Sequence, residues 1–163
     1  VAANADISCG RLRILGSTSS CFDEEHYQAT VGPWVQMAKE ERAEDLYLSF
    51  GEALYPQAVF EQAKGVLIEG AKKITDKDLQ RFIIIAEGIK GFDLTGEISK
   101  IACAVLVLGA NDDNVVGAQA SHFIYDQLAG REDCELYMYD GFGHAVYDLA
   151  PDYRERMLKF FLA

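Results

Sequence analysis

The sequence has 163 residues, of which half are hydrophobic and a quarter are charged, a composition typical of one globular domain. Its formal net charge of -11 repels phosphate backbones and anionic lipid headgroups, so we expect neither nucleic-acid nor membrane partners. No apolar run approaches the ~20 residues of a membrane span, and no signal peptide is visible.

The cysteine pattern predicts reduced thiols. The four cysteines, Cys9, Cys21, Cys103 and Cys134, include no pair with C-x-x-C spacing. Two of them lie inside apolar runs, where a free thiol behaves as a small hydrophobic side chain. This pattern favours a cytoplasmic protein, because disulfides persist mainly in oxidising compartments.

The first predicted element is a strand at residues 11–15, where polar and apolar residues alternate before a polar loop. Residues 23–91 then have a helical pattern with no convincing strand. Asp23 is a candidate helix cap, and Gly32-Pro33 breaks or restarts the helix that follows. Residues 59–72 read as another helix, and Thr75 with Asp78 is a capping signature that precedes a further amphipathic helix.

The second half of the sequence predicts an alternation of strands and helices. A continuous apolar run at 101–108 is typical of a strand buried on both faces, and residues 134–139 predict a second strand. Helices are predicted at 118–128 and from Pro151 to Phe161. This order implies a parallel sheet covered by helices, whose ligands bind beyond the carboxyl ends of the strands.

Two loops lie at those strand ends, at residues 109–117 and 140–148. The first contains the adjacent acids Asp112 and Asp113, and the second contains His144 after Gly141-Phe-Gly143. An acid beside a histidine can fix the imidazole tautomer and create a general base. The spacing alone also fits a plain alternative, in which the aspartates only shape a turn and His144 is a surface residue.

The motifs in these loops resemble the end of the α/β-hydrolase fold. In that family a V-L-V-L-x-G strand precedes an acid loop with D-x-V-V, and a G-x-G-H-A turn precedes the closing helix. The corresponding segments here read AVLVLGANDDNVVG, CELYMYDGFGHAVYD and RMLKFFLA, in that order. The segment RLRILGSTSS resembles the strand and loop before the helical cap of the family, so the resemblance covers nearly the whole chain.

The resemblance implies a partial α/β-hydrolase fold: the last three parallel strands of the sheet, their flanking helices and a helical cap, or lid. It divides the chain into a strand and loop at 1–22, a cap at 23–97 and an α/β core at 98–163. It implies that His144 is the triad histidine and Asp113 the triad acid, with Asp112 as the alternative. With Asp113 in the triad, Asp112 is expected to cap the loop or the following helix.

The implied function is hydrolysis of an ester or similar acyl substrate through a Ser-His-Asp triad, without metal or cofactor. Cap residues around Trp34 and Met37 are expected to shape the pocket for a small apolar acyl group. His26 and His122 are expected to be packing or surface residues.

The nucleophile of the family lies on a G-x-S-x-G turn, and this sequence contains none. The chain alone is therefore expected to be inactive, with the serine upstream of Val1. The exposed sheet edge is expected to bind a missing amino-terminal half or a second copy. Two rival hypotheses are a non-catalytic module that binds a small ligand or a protein, and a flavodoxin-like domain. The second rival is disfavoured because no glycine-rich phosphate loop follows a strand.

Overall fold

The structure is a computed structural model that describes residues 14–16, as backbone, and residues 19–162. Residues 11–13 of the predicted first strand lie outside this range. In chain order the elements are β1 (Ile14–Gly16), β2 (Cys21–Phe22), α1 (Glu24–Ala29), α2 (Val31–Lys39), α3 (Ala43–Leu54), α4 (Gln57–Ala71), α5 (Asp76–Glu87), β3 (Phe92–Asp93), a 3-10 helix (Thr95–Lys100), β4 (Val105–Ala110), α6 (Ala118–Gln127), β5 (Cys134–Tyr139), α7 (Val146–Leu149) and α8 (Tyr153–Leu162).

The described chain divides into two compact units. The helical unit spans Cys21–Asp93, and the sheet unit contains the residues before and after it. In the sheet unit, β1, β4 and β5 form a parallel sheet in the order β1-β4-β5. The predicted parallel architecture is therefore confirmed. The strand predicted at residues 134–139 is β5, and it has the predicted limits.

The central strand β4 is buried on both faces, as its apolar sequence predicts. Leu106 and Leu108 pack on one side with residues of α7 and α8, which include Phe160. Val105 and Val107 point to the other side and pack with Ile98 of the 3-10 helix and residues of α6. Since successive strand side chains alternate in direction, this one strand supports two hydrophobic layers.

The strand β4 begins later than its apolar run. Residues 101–104 precede the strand, and the carbonyl groups of residues 101–103 accept hydrogen bonds from a side chain. Arg131 donates to the carbonyl oxygens of Ile101 and Cys103, the latter at 2.7 Å, and its guanidinium also pairs with Asp133. A prediction from hydrophobicity alone therefore places the start of the strand too early.

The chain after β5 also differs from the prediction. A short helix, α7, occupies part of the predicted loop at 140–148. The final helix α8 starts at Tyr153, after a turn that contains Pro151, rather than at the proline itself. Val146 and Tyr153 are buried, so both helices are held by the core under the sheet.

The helical unit contains α1 to α5, whose limits follow sequence signals. Asp23 accepts a hydrogen bond from the backbone N–H of His26 at 2.8 Å, so it caps α1 as predicted. Thr75 and Asp78 form a complete capping box at the start of α5. The helix restarts around Gly32-Pro33, because Pro33 lies in the first turn of α2, where its missing N–H costs no helical hydrogen bond.

The limits of the helical unit differ slightly from the predicted segment at 23–97. Its ends are joined by an antiparallel pair of two-residue strands, in which Cys21 faces Asp93 and Phe22 faces Phe92. Strands this short carry no periodic pattern, so the sequence does not predict them. None of the helices in the described ranges is long and apolar enough to cross a membrane.

Candidate catalytic acid–histidine pair

The two polar loops of the sheet unit are brought together by strand pairing. β4 and β5 run parallel and in register, with Ala110 opposite Tyr139 at their carboxyl ends. The pairing continues one residue further, since the N–H of Asn111 donates to the carbonyl oxygen of Tyr139 at 2.8 Å. The loop after β4, named the acid loop (residues 111–117), therefore starts beside the loop after β5, named the histidine loop (residues 140–145).

The structure places Asp113 in contact with His144. The distance from Asp113 Oδ2 to His144 Nδ1 is 2.8 Å, a hydrogen bond between residues 31 positions apart in the sequence. The Asp113 side chain is 10% exposed and that of His144 is 21% exposed, so the pair is largely shielded from water. Within the described residues, this carboxylate is the hydrogen-bond partner of the ring. The other ring nitrogen, Nε2, can therefore accept a proton from a nucleophile or donate one to a leaving group.

The second oxygen of Asp113 is also occupied. Its Oδ1 accepts hydrogen bonds from the backbone N–H groups of Val115 at 2.8 Å and Val116 at 3.0 Å. Burial raises the pKa of Asp113, but the bonds from His144 and the two valine amides outweigh it and hold the pKa below its usual value. The group is therefore a fixed carboxylate at neutral pH.

The adjacent acid has a different role from the one that the sequence suggests. Among the described residues, Asp112 makes no hydrogen bond to the imidazole, and it does not cap α6, which begins after Gly117 without a side-chain cap. Its carboxylate instead accepts hydrogen bonds from the backbone N–H groups of Gly141 and Gly143 in the histidine loop. Sequence reasoning missed this contact because the backbone donors belong to a distant segment.

The histidine loop depends on glycine and on burial. Gly141 and Gly143 have φ angles of 81° and 65°, in the left-handed region that glycine adopts without steric cost. Directly after His144, Ala145 is 0% exposed and Val146 is 1% exposed. In the chain, His144 is therefore preceded by a tight turn and followed by two side chains that are buried in the core.

The predicted pocket residues Trp34 and Met37 both lie on α2 of the helical unit. Trp34 is buried, its indole Nε1–H donates to Ser49 Oγ at 2.9 Å, and its ring stacks on Phe50. Met37 is half-buried. Neither lines the cavity described next, and their role in binding substrate stays a prediction.

A cavity of about 330 Å³ lies among α3, α4 and α5 of the helical unit. Its walls are mostly apolar and include Phe50, Leu54, Leu67, Leu79 and Phe82. Sequence analysis missed it, although the apolar spacing along α3 and α5 predicts that these faces point inward. Periodicity indicates which face of a helix is apolar, but it cannot show where the packing between helices is incomplete.

The two other histidines have different surroundings. His26, in the first turn of α1, contacts the ring of Phe22, and His122 is exposed on α6. Across residues 14–16 and 19–162, no group of three or more His, Cys, Asp or Glu side chains is arranged to hold a metal ion.

The fold is that of α/β hydrolases. An α/β-hydrolase enzyme from a Medee basin deep-sea metagenome library has a TM-score of 0.83 at 16% identity over 99% of this chain. The enol-lactonase from Burkholderia xenovorans has a TM-score of 0.76 at 15% identity, also over 99% of this chain. A bromoperoxidase from Bacillus anthracis has a TM-score of 0.69 at 12% identity over 93% of it. The sequence matches no protein-family model and no curated protein.

This chain spans 59%, 60% and 57% of the lengths of those three structures, respectively. The predicted fold class, a partial α/β-hydrolase fold, is therefore confirmed. The three structures carry the names of different activities, so the likeness establishes the fold and leaves the reaction to be argued from the site.

Proposed function

We propose that this chain supplies the acid and the histidine of a Ser-His-Asp triad in a hydrolase that acts on an ester or similar acyl substrate. The observation that carries the proposal is the 2.8 Å contact between Asp113 Oδ2 and His144 Nδ1 at adjacent strand ends. A surface histidine beside a simple turn would not need a buried carboxylate that two backbone amides also hold.

In the proposed mechanism, Asp113 keeps the proton of the neutral imidazole on Nδ1, which directs Nε2 toward the nucleophile. His144 takes the proton of a serine hydroxyl as the serine attacks the acyl carbon, and it then gives that proton to the leaving alcohol. The carboxylate stabilises the imidazolium that forms between these two steps. Hydrolysis of the acyl-enzyme repeats the two proton transfers with water as the nucleophile. The proposed reaction requires no metal or organic cofactor.

The proposed serine belongs to a segment outside these 163 residues, either upstream of Val1 or in a separate chain. In favour of this, the sequence contains no G-x-S-x-G turn, and the chain corresponds to about three-fifths of the metagenomic hydrolase. Among the described strands, β1 pairs only with β4, so its other side can accept a strand from that segment or from a second copy. The proposed compartment is the cytoplasm, because Cys103 and Cys134, in the described part of the chain, are free thiols.

Labelling of the protein from its native source with a fluorophosphonate probe tests the proposal. We expect the probe to attach to a serine on a segment outside this sequence. His144→Ala should abolish labelling and lower ester turnover by about 10⁴-fold or more, as removal of a triad member does. His122→Ala, which alters the exposed histidine of α6, is the matched control and should change neither signal.

Two outcomes would contradict the proposal. Labelling of a serine within this chain would show that the nucleophile is not on a missing segment. Labelling and turnover that are the same in His144→Ala and in the unmodified protein would remove the histidine from the mechanism.

The cavity in the helical unit supports a second candidate function, a module that binds a small apolar ligand without catalysis. Its volume of about 330 Å³ is within the range of small-molecule sites, and its walls are mostly apolar. Toluene is a suitable probe, observed by saturation-transfer NMR and by the fluorescence of Trp34, which stacks on the cavity residue Phe50. Saturable binding that Leu54→Phe weakens, and that the exposed Leu158→Phe does not, would support this function.

A further inference from the structure

The acid loop and the histidine loop are joined by more than the catalytic candidates. The carboxylate of Asp112 bridges two backbone donors of the histidine loop, with Oδ1 3.2 Å from the nitrogen of Gly141 and Oδ2 3.1 Å from that of Gly143. Both oxygens are used, and both donors belong to the turn that directly precedes His144. Hydrogen bonds to an ionised carboxylate are stronger than those between neutral groups.

A further pair of contacts reinforces this connection one residue earlier. The side-chain amide of Asn111 donates to Asp140 Oδ1 at 2.7 Å, and the backbone N–H of Asn111 donates to the carbonyl of Tyr139. The residues from 111 to 113 therefore contact successive positions of the histidine loop. The loops remain aligned beyond the point where the strand ladder ends.

The histidine loop needs hydrogen bonds with the acid loop, because its glycines allow many backbone conformations. Gly141 and Gly143 are the residue type with the largest conformational freedom, and both adopt positive φ angles here. The anchors that follow, Ala145 and Val146, fix only the carboxyl-terminal side of His144. The amino-terminal side is fixed by Asp112, and a hydrogen bond of 2.8 Å tolerates little displacement of the ring.

We infer that Asp112 is a positioning residue that holds the Gly141–Gly143 turn, so that the His144 ring stays within hydrogen-bond distance of Asp113. The adjacent acids thus divide two tasks, since Asp113 binds the ring and Asp112 binds the backbone that carries it. The consequence for catalysis rests on the proposed function, whereas the effect on the ring can be measured on this chain alone.

The low-field proton NMR signal of His144 Nδ1–H is a suitable readout, because it reports the hydrogen bond itself. In Asp112→Ala we expect this proton to exchange with water about tenfold faster or more, since the loop loses two charge-assisted hydrogen bonds. Asp112→Asn keeps one acceptor oxygen and should give an intermediate rate. Asp140→Asn is the matched control, because it removes an equal charge from the adjoining histidine loop but keeps an acceptor for Asn111; its exchange rate should be unchanged.

The outcomes separate this inference from the proposed function. If Asp112→Ala keeps the signal and the exchange rate of the unmodified chain, Asp112 does not position the ring and the inference is wrong. Should Asp140→Asn accelerate exchange as much as Asp112→Ala, the effect is one of charge, which also overturns it. Asp113→Asn must abolish the signal in every case, and its survival there would refute the acid–histidine pair itself.

Discussion

The two units of this molecule use many of their polar side chains differently. In the helical unit many of them form pairs three or four residues apart on exposed helix faces, such as Glu24 with Gln28 and Glu69 with Lys72. In the sheet unit the polar side chains of the acid loop join segments about 30 residues apart, as Asp112 and Asp113 do. Exposed local pairs contribute little to stability, whereas a shielded contact between distant segments fixes a geometry.

The difference shows why chemistry could be inferred from one unit and not from the other. A parallel sheet forces the carboxyl ends of neighbouring strands together, so residues that follow two strands become neighbours whatever the chain does between them. Helix packing imposes no such rule on individual side chains. The acid–histidine contact follows from topology, and the cavity of the helical unit does not.

The largest effect should come from the core of the sheet unit. Leu108→Ala removes a fully buried side chain of β4 and should lower the free energy of unfolding by about 2–5 kcal/mol. Hydrogen exchange at the amides of β4 and β5 measures it. Leu158→Ala is the control, because that leucine is exposed, and its change should stay within about 0.5 kcal/mol. Equal effects would show that β4 does not form the core.

Two helical glycines should respond with opposite signs, which tests the packing of the helical unit. A methyl group on Gly51 of α3 would overlap Leu67 Cδ1 and lie 2.9 Å from the Phe60 ring, so Gly51→Ala should cost about 1–3 kcal/mol. Gly65 of α4 has open space around it, so Gly65→Ala should stabilise by up to about 1 kcal/mol. Urea unfolding followed by Trp34, the single tryptophan, compares them. Stabilisation by Gly51→Ala would contradict the close contact of α3 with α4.

The acid of the pair should make stability depend on pH. Because the pKa of Asp113 is lowered in the fold, its stabilising effect is complete above the ordinary value near 3.8 and is lost as the pH falls through the folded-state pKa. Asp113→Asn should therefore cost about 1 kcal/mol at neutral pH, and the difference should shrink below pH 4. Urea titrations at several pH values measure it. A difference that grows in acid would mean that the pKa is raised.

The smallest effect should come from a buried hydroxyl. Tyr139 is 5% exposed, and within the described residues no group forms a hydrogen bond of good geometry with its hydroxyl, although the Asp152 carboxylate interacts with it. Burial and the Asp152 carboxylate raise its pKa to about 12, so it remains neutral. Tyr139→Phe should change the free energy of unfolding by less than about 0.5 kcal/mol or stabilise slightly. A loss above 1 kcal/mol in urea unfolding would reveal a partner for the hydroxyl.

Much of the fold could be predicted because its signals are local. The alternation of residues 134–139 and the capping pair Thr75 and Asp78 give the observed elements. The predictions fail where a residue distant in the sequence determines the local structure. Arg131 binds the carbonyls that precede β4 and delays the strand, and the bonds of Asp112 depend on a turn in another segment. Neither effect is visible in periodicity.

The central claim is that Asp113 makes His144 a general base with its free nitrogen at Nε2. A long-range proton–nitrogen NMR correlation of this chain, at a pH where imidazoles are neutral, tests it most directly. We expect His144 to carry its proton on Nδ1. In Asp113→Asn, the amide oxygen should keep the bonds from Val115 and Val116 and turn the NH₂ group toward the ring, which moves the proton to Nε2. A proton on Nε2 in the unmodified chain, or the same tautomer in both proteins, would contradict the account.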